Sequence, residues 1–389
     1  MEEGSFSLPL DLVEEEILHR TPIESLVRFK TTCQEWYALF NSKRFIYKHL
    51  HLSQKRSIRI FRDTFQIINP VTLDLLSLPL PAEFPHGSIF IIHCDGLLLC
   101  SIVYEKHGFG YEHHGLLAVW NPVLSSRVKL IEPMGAYRPY YDVFGFGYDN
   151  DNKYKILRFE AIRGTGYEMY DLNSNLWTYF PATFEWFPIT PIQNVSMKGN
   201  MYWIAQTKKT LETFIQSFDF STETFKPICS PIPVRVRVTS VSPTDLSVVI
   251  YANPDIVVLS DFGGDRLSLL HQPKREIKIE VWVTNKVTDG VVSWTKYFNV
   301  THPHLPVILH RECSFGNPSY FIHKTNGIML WCDKVLQKGD KLVRGSFYEI
   351  CEGEIKKQVE TGPPFRSHGL NNPCICGSIY VPSLVPVPE

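Results

Sequence analysis

The sequence of 389 residues carries almost no net charge and contains no long apolar run. Its 39 Lys and Arg residues nearly balance 40 Asp and Glu residues, which leaves a formal charge of −1. A chain with so little net charge has no overall field that would attract nucleic acid or an anionic membrane. No segment reaches the ~18 consecutive apolar residues that a membrane-spanning helix needs. We therefore expect neither nucleic acid nor a membrane among its partners.

The cysteine pattern and the first residues both argue against export. The nine cysteines are odd in number, scattered, and never spaced as CxxC. In a long chain this usage is typical of reduced thiols and not of a disulfide framework. The opening segment 1–5, MEEGS, is acidic and polar, unlike the basic start of a secretory or transit peptide. We expect a protein of the cytoplasm, the nucleus or both.

Short motifs of nucleotide binding and catalysis are also missing. There is no GxGxxG after a strand, no GK[ST] phosphate loop and no serine in a nucleophile-elbow context. Cys374 and Cys376 lie on one side of a predicted strand without a second pair at zinc spacing, and His107, His113 and His114 lie in a loop-like stretch. We expect no catalytic residue, no metal and no cofactor. An enzyme whose site is assembled from loops remains an alternative, besides the two non-catalytic functions given at the end of this section.

Residues 8–45 contain three short helical patterns. Val13 and Ile17 begin the first apolar stripe. The second pattern opens with TPIE at 21–24, which has the spelling of a helix start with a threonine cap and a capping box. In the third, apolar residues recur at i, i+3, i+4 and i+7 from Cys33 to Phe40. We expect three helices, and residues 44–46 begin a short fourth pattern.

This helical segment has more apolar side chains than so small a unit can bury. A mini-domain of this size covers only a modest share of its surface, and an exposed apolar surface marks a partner site. The alternative is that the same side chains form the core of a helical cap on the rest of the chain.

The segment resembles the F-box, whose pattern runs roughly L-P-x-D-L, E-I-L-x-R-L-P, S-L-x-R-F, V-C-K-x-W and S-x-x-F. The matching residues are Leu8, Pro9, Asp11, Leu12, Glu16, Ile17, Leu18, Arg20, Pro22, Ser25, Leu26, Arg28, Phe29, Cys33, Trp36, Ser42 and Phe45. The chain departs from the pattern at Thr21, Thr32 and Gln34, where Leu, Val and Lys are usual.

The resemblance implies that residues 4–50 dock onto a Skp-type adaptor and, through it, join the cullin and RING subunits of a ubiquitin ligase. The side chains that it assigns to the adaptor contact are Leu8, Pro9, Ile17, Leu18, Pro22, Leu26 and Trp36.

Beyond residue 50 the pattern changes to short strands separated by turn residues. A repeated unit consists of an apolar strand that ends in an aromatic residue with Asn or Asp, a polar turn and a second strand. Its markers include Asn69, Asn121, Asp171 and Asp219. Successive markers are 52, 50 and 48 residues apart. Two later steps are longer: 64 residues from Phe218 to Trp282 and 66 residues from Trp282 to Tyr348. Their extra length predicts loop insertions near 253–275 and 301–318.

A period near ~50 residues with four strands per unit is typical of a kelch-like propeller blade. Five units span about 86–360, and the chain ends supply incomplete ones. We predict that 57–80 give the last two strands of a sixth blade and 366–385 the first two, which closes the ring. An open pair of β-sandwiches is the alternative. The predicted fold class is α+β multidomain: a three-helix F-box, then an all-β six-bladed propeller over 51–389.

The repeated segments resemble the plant F-box-associated domain, a kelch-like module found behind F-boxes. The strings that carry the resemblance include FGFGYDNDNKYKILRF (144–159), MYDLNSNLWTYFP (169–181) and IEVWVTNKVTDGVVSWTKYFNV (279–300).

The two resemblances together imply a non-catalytic substrate receptor of a Skp–cullin–F-box (SCF) ligase, whose propeller holds an unknown protein target. The alternative is an F-box protein that acts as an interaction module outside the ligase.

Overall fold

The computed structural model describes residues 12–389 with internal gaps. The ranges outside the description are 1–11, 62–63, 86–87, 106–112, 125–126, 136–141, 161–163, 190–193, 230–231, 235–254, 274–275, 289–290, 307, 309–317, 325–326, 338–341 and 367–373.

Residues 12–52 form a helical head. A π-helical turn (Val13–Ile17) runs into a 3-10 turn (Leu18–Arg20), and three α-helices follow: α1 (Ile23–Phe29), α2 (Gln34–Asn41) and α3 (Lys43–Leu52). If the two joined turns are counted as one segment, the head has four helical segments, where three and a short fourth pattern were predicted. The weak fourth pattern becomes a ten-residue helix because the Ser42 side chain accepts the backbone N–H of Phe45 and starts a new helix.

The predicted threonine cap is wrong, and α2 has a cap that was not predicted. The Thr21 hydroxyl does not cap α1: it donates backward to the carbonyl of Ile17 at 2.7 Å, and Pro22 occupies the cap position without a side-chain bond. Cys33 does cap α2, since its Sγ accepts the backbone N–H of Trp36 at 3.4 Å.

Six antiparallel sheets follow the head and form the blades of a propeller. Blade 1 contains β1 (Arg56–Phe61), β2 (Thr64–Ile68), β3 (Leu75–Pro79) and the last strand β25 (Cys374–Tyr380). Blade 2 contains β4 (Ser88–Cys94), β5 (Leu97–Glu105), β6 (His113–Trp120) and β7 (Val128–Ile131). Blade 3 contains β8 (Val143–Tyr148), β9 (Tyr154–Phe159), β10 (Gly166–Asp171) and β11 (Leu176–Pro181).

Blade 4 contains β12 (Trp186–Pro188), β13 (Asn194–Met197), β14 (Asn200–Thr207), β15 (Thr213–Asp219) and β16 (Thr224–Cys229). Blade 5 contains β17 (Ile256–Phe262), β18 (Arg266–Gln272), β19 (Lys278–Thr284) and β20 (Trp294–Thr301). Blade 6 contains β21 (Ser319–Lys324), β22 (Gly327–Gln337), β23 (Leu342–Cys351) and β24 (Glu354–Arg366). Strands β17 and β18 fill most of 253–275, so the loop insertion predicted there is wrong, and the extra length precedes β17.

The inner strands of the six blades close a ring. Strands β25, β4, β8, β13, β17 and β21 each contact the next, and β21 contacts β25 again. The six-bladed propeller and its closure by both chain ends are thus confirmed. The division of the shared blade differs from the prediction, because the N-terminal side supplies three strands and the C-terminal side one.

The strand that the prediction missed is β1. Its arginines give it a polar appearance, yet Arg59 is buried. The Arg59 guanidinium donates to the side chain of Gln66 in the same blade at 2.5 Å and to the carbonyl of Thr361 on β24 of blade 6 at 3.0 Å.

The repeated Asn or Asp residues have a common local role. In each case the Oδ1 atom accepts the backbone N–H of the residue two positions later, at 2.7–3.1 Å, and so closes the turn between the third and fourth strands of a blade. The residues are Asn69, Asn121, Asp171 and Asp219. The 50-residue period in the sequence is therefore the period of an Asx turn.

The C-terminal segment 381–389 is held against blade 2. The Asn121 Nδ2 group donates to the carbonyls of Ser383 at 3.0 Å and Val385 at 2.7 Å. The Ser383 hydroxyl donates to the carbonyl of Asp95 at 2.6 Å. Gly96 has φ +86°, and a Cβ atom there would lie 2.0 Å from Ser383 Oγ, so a glycine is required for this approach.

We expect Asn121→Ala to lower the free energy of unfolding by about 2–4 kcal/mol, because it removes the Asx turn and leaves two buried carbonyls unpaired. Asp219→Ala, which removes only an Asx turn, is the matched control and should cost about 1 kcal/mol. Urea unfolding measures both. Equal losses in the two variants would contradict a role of Asn121 in holding the C-terminal segment.

Candidate functional site

The buried side chains of the head belong to an apolar cluster that continues into the propeller. Leu18, Ile23, Leu26, Phe40 and Phe45 are buried in one cluster. Aromatic rings continue through it, with Phe40 and Phe45 centroids 5.1 Å apart. Two ion pairs, Glu14 with Arg44 and Glu15 with Lys48, join the first helical turn to α3. The Lys48 ammonium bonded to Glu15 lowers the pKa of that carboxyl.

Apolar side chains are left over on the outside of this unit. Leu12 and Ile17 on the first turn and Tyr37 on α2 are 45%, 47% and 59% exposed. Half-buried Val13, Val27, Phe29, Trp36 and Leu39 pack against the core from outside. Apolar surface of this kind is available for a partner.

The predicted adaptor contacts divide into three groups. Ile17 and Pro22 are exposed and Trp36 is half-buried, so these three can meet a second chain directly. Leu18 and Leu26 are 3% and 0% exposed, so they already stabilise the head from within. Leu8 and Pro9 lie outside the described residues. Contact with an adaptor stays a prediction for the whole set.

The head lies against the propeller at the centre of the ring of inner strands, and we call the space inside this ring the central channel. The Lys55 ammonium, which follows α3, donates to Asp261 Oδ1 at 2.7 Å and to the Asp261 carbonyl at 3.0 Å. This pair could not be predicted from the sequence, because its members are 206 residues apart. Side chains of α3, including Tyr47 and Leu50, line a cavity of about 570 Å³ together with residues of all six blades.

Two titratable groups, His93 and Asp95, line this channel. His93 Nε2 accepts the backbone N–H groups of Gly96 at 2.9 Å and Val381 at 3.2 Å. Burial lowers the pKa of His93 to about 4, although the Asp261 carboxylate opposes the shift. Burial also raises the pKa of Asp95, against a hydrogen bond from the Tyr148 hydroxyl. His93 is therefore neutral at pH 7.

Possible metal ligands come close together at one place in the described residues. Over the part of the chain that the structure describes, the one group with closely spaced ligand atoms is Glu14, Glu15 and His19, within 4.8 Å of one another. Arg44 and Lys48 already neutralise the two carboxylates. His107 lies outside the described residues, as do the side chains of His113, His114, Cys374 and Cys376.

Within the same described residues, none of the helices combines the length and apolarity that crossing a membrane requires.

Comparison with known proteins gives a consistent result over nearly the whole chain. A family model described as the F-box associated beta propeller domain matches residues 53–387. An F-box protein of Arabidopsis thaliana is 52% identical over 98% of this chain and 99% of its own length. From the same plant, F-box/WD-40 repeat-containing protein 1 is 44% identical over 98% of this chain and 89% of its own length. A further F-box protein of that species is 41% identical over 98% of this chain and 97% of its own length. The chain belongs to the plant F-box proteins that carry an F-box-associated β-propeller domain.

Proposed function

We propose that this protein is the substrate-recognition subunit of an SCF-type ubiquitin ligase. The head docks onto a Skp-type adaptor, which connects it to the cullin and RING subunits, and the propeller binds the protein target. The observation that carries the proposal is the apolar surface that the head leaves exposed at Leu12, Ile17 and Tyr37, outside the core that it shares with the propeller. Burying an aliphatic side chain in an interface contributes about 1.5–3 kcal/mol, so a few such residues support a stable contact.

The mechanism under this proposal is proximity. The chain itself performs no bond chemistry, and the ligase brings a ubiquitin-charged carrier close to a target held on the propeller. A high effective concentration of the charged carrier at the target requires that the head and the propeller keep a fixed orientation. The Lys55–Asp261 pair and the seating of α3 over the channel supply such a connection. The function places the protein in the cytoplasm, the nucleus or both.

We expect the double variant Leu12→Asp, Ile17→Asp to weaken binding of a purified Skp-type adaptor at least about 30-fold, which corresponds to the loss of roughly 2 kcal/mol. Both side chains are exposed in the free chain, so the variant should melt as the parent does. Titration calorimetry measures the affinity and circular dichroism the melting temperature.

Leu176→Asp is the matched control, because Leu176 is an exposed leucine on the outer strand of blade 3, in the propeller. It should leave adaptor binding unchanged. Co-purification of a cullin with the parent and not with the double variant separates ligase membership from a module that works outside the ligase. Full adaptor affinity in the double variant would refute the proposed docking surface.

A further inference from the structure

The outermost strand of blade 3 has an edge that no other described part of the chain covers. Strand β11 pairs with β10 from Leu176 opposite Asp171 to Pro181 opposite Gly166, and it forms no second ladder with a described strand. No backbone hydrogen bond leads from residues 176–181 outward to another described residue. The N–H and C=O groups that point away from β10 are therefore open to a further strand.

This edge lacks the protection that most of the other outer strands have. Edge strands of soluble proteins are commonly kept from pairing by a charged side chain or a proline. Residues of this kind are present in four of the six outer strands: Lys129 in β7, Lys226 and Pro227 in β16, Lys296 in β20, and Lys356 and Lys357 in β24. Strand β11 reads LWTYFP, without a charge and with its single proline at the last position.

Apolar side chains project from both faces of β11. Leu176 is 65% exposed and Tyr179 is 48% exposed, and the alternation of side chains along a strand places them on opposite faces. Strand β3 of blade 1 also lacks charged residues, but Leu75 is its only exposed large apolar side chain. Among the outer strands of the described blades, β11 alone combines an uncharged edge with exposed apolar side chains on both faces.

The surface beside this edge adds apolar area and a carboxylate. The Trp177 indole N–H donates to the carbonyl of Glu132 at 3.0 Å, which brings the segment around Glu132 close to β11. Leu130 and Met134 in that segment are exposed. The Glu132 side chain is also exposed, and it forms no ion pair with a described residue. A positively charged group on a partner would complement this carboxylate.

The open backbone groups define the kind of partner that fits. A second extended chain satisfies the N–H and C=O groups of a sheet edge, and the side chains beside the edge contact alternate residues of that chain. We propose that the edge of β11 binds an extended polypeptide segment that is rich in apolar residues and carries a basic residue. The inference rests on the proposed function, under which this segment belongs to the ubiquitination target.

The test uses the full chain and a synthetic peptide in which valine and threonine alternate between a lysine at each end. We expect saturable binding by titration calorimetry. Hydrogen exchange followed by mass spectrometry should show slower exchange of residues 176–181 when the peptide is present. The same peptide with every valine and threonine N-methylated cannot donate to a ladder and should not bind. A version with glutamate in place of lysine should bind more weakly, because Glu132 repels it.

The double variant Leu176→Asp, Tyr179→Asp should bind the lysine peptide at least about tenfold more weakly, because it removes apolar contacts on both faces and adds charge beside the edge. Leu75→Asp is the matched control, since Leu75 is an exposed leucine at the start of the outer strand of blade 1. It should bind the peptide as the parent does. Circular dichroism verifies that both variants are folded.

Four results would overturn the proposal: no binding of the lysine peptide, equal binding of the N-methylated or the glutamate peptide, unchanged affinity in the double variant, or slower exchange in an outer strand other than β11. Adaptor affinity is measured separately by the titration described above. A chain that binds the adaptor but not the peptide therefore refutes this inference and leaves the proposed function standing.

Discussion

Removal of residues 374–389 is expected to abolish cooperative folding of the propeller. The truncation deletes β25, which pairs with β1 over Arg56–Phe61 and contacts the inner strands β4 and β21. It also removes Tyr380, Leu384 and Val385, which are all buried. Three such side chains contribute about 1.5–3 kcal/mol each, and their sum is comparable with the roughly 5–15 kcal/mol that stabilises a typical domain.

Calorimetry and urea unfolding of the full and truncated chains measure this effect. Deletion of 386–389 alone is the control, because these residues are exposed or half-buried, and it should change the free energy of unfolding by no more than about 1 kcal/mol. A chain ending at 373 that melts with the parent's temperature and enthalpy would disprove the importance of ring closure.

Acidification is expected to destabilise the protein through His93. Its pKa in the folded chain is about 4, below the value near 6.5 of an unfolded histidine. The unfolded state therefore binds the proton first as the pH falls. The stability contribution of the neutral ring is complete above pH 6.5 and is lost as the pH falls toward 4. From linkage we expect a loss of roughly 2 kcal/mol at pH 5 and roughly 3 kcal/mol at pH 4.

Urea unfolding at pH 7, 5 and 4 measures this dependence. His93→Gln should be less stable than the parent at pH 7 but should lose less stability on acidification, by the amounts above. His304→Gln, at an exposed histidine, should keep the parent's pH dependence. Burial also lowers the pKa of His49, so part of the acid sensitivity remains in the His93 variant. Parallel pH profiles for the parent and His93→Gln would rule out His93 as the cause.

The fold could largely be predicted because its turns are encoded locally. In blades 1–4 a single Asn or Asp side chain closes the turn between the third and fourth strands, so the sequence spacing of residues such as Asn121 and Asp219 shows the period of the blades. Strand β1 was missed because a local pattern cannot show that Arg59 finds partners at Gln66 and at Thr361, 302 residues away.

The site could be predicted only in part, for a related reason. Helical periodicity identifies an apolar side chain but does not say which surface covers it. Leu18 and Leu26 have the same pattern as Ile17, yet the first two are covered by the chain itself and Ile17 is not. The channel groups Lys55, His93 and Asp261 come from distant parts of the sequence, and only the closed ring brings them together.

The division of blade 1 into three N-terminal strands and one C-terminal strand also sets the order of events during synthesis. The first three strands leave the ribosome before the other five blades, but their inner neighbour is made after those blades. Until it emerges, the nascent chain keeps an open β-edge beside β1, a surface that chaperones bind and that favours aggregation. A prematurely terminated product never closes its ring, so quality control can distinguish finished from unfinished chains by this one gap.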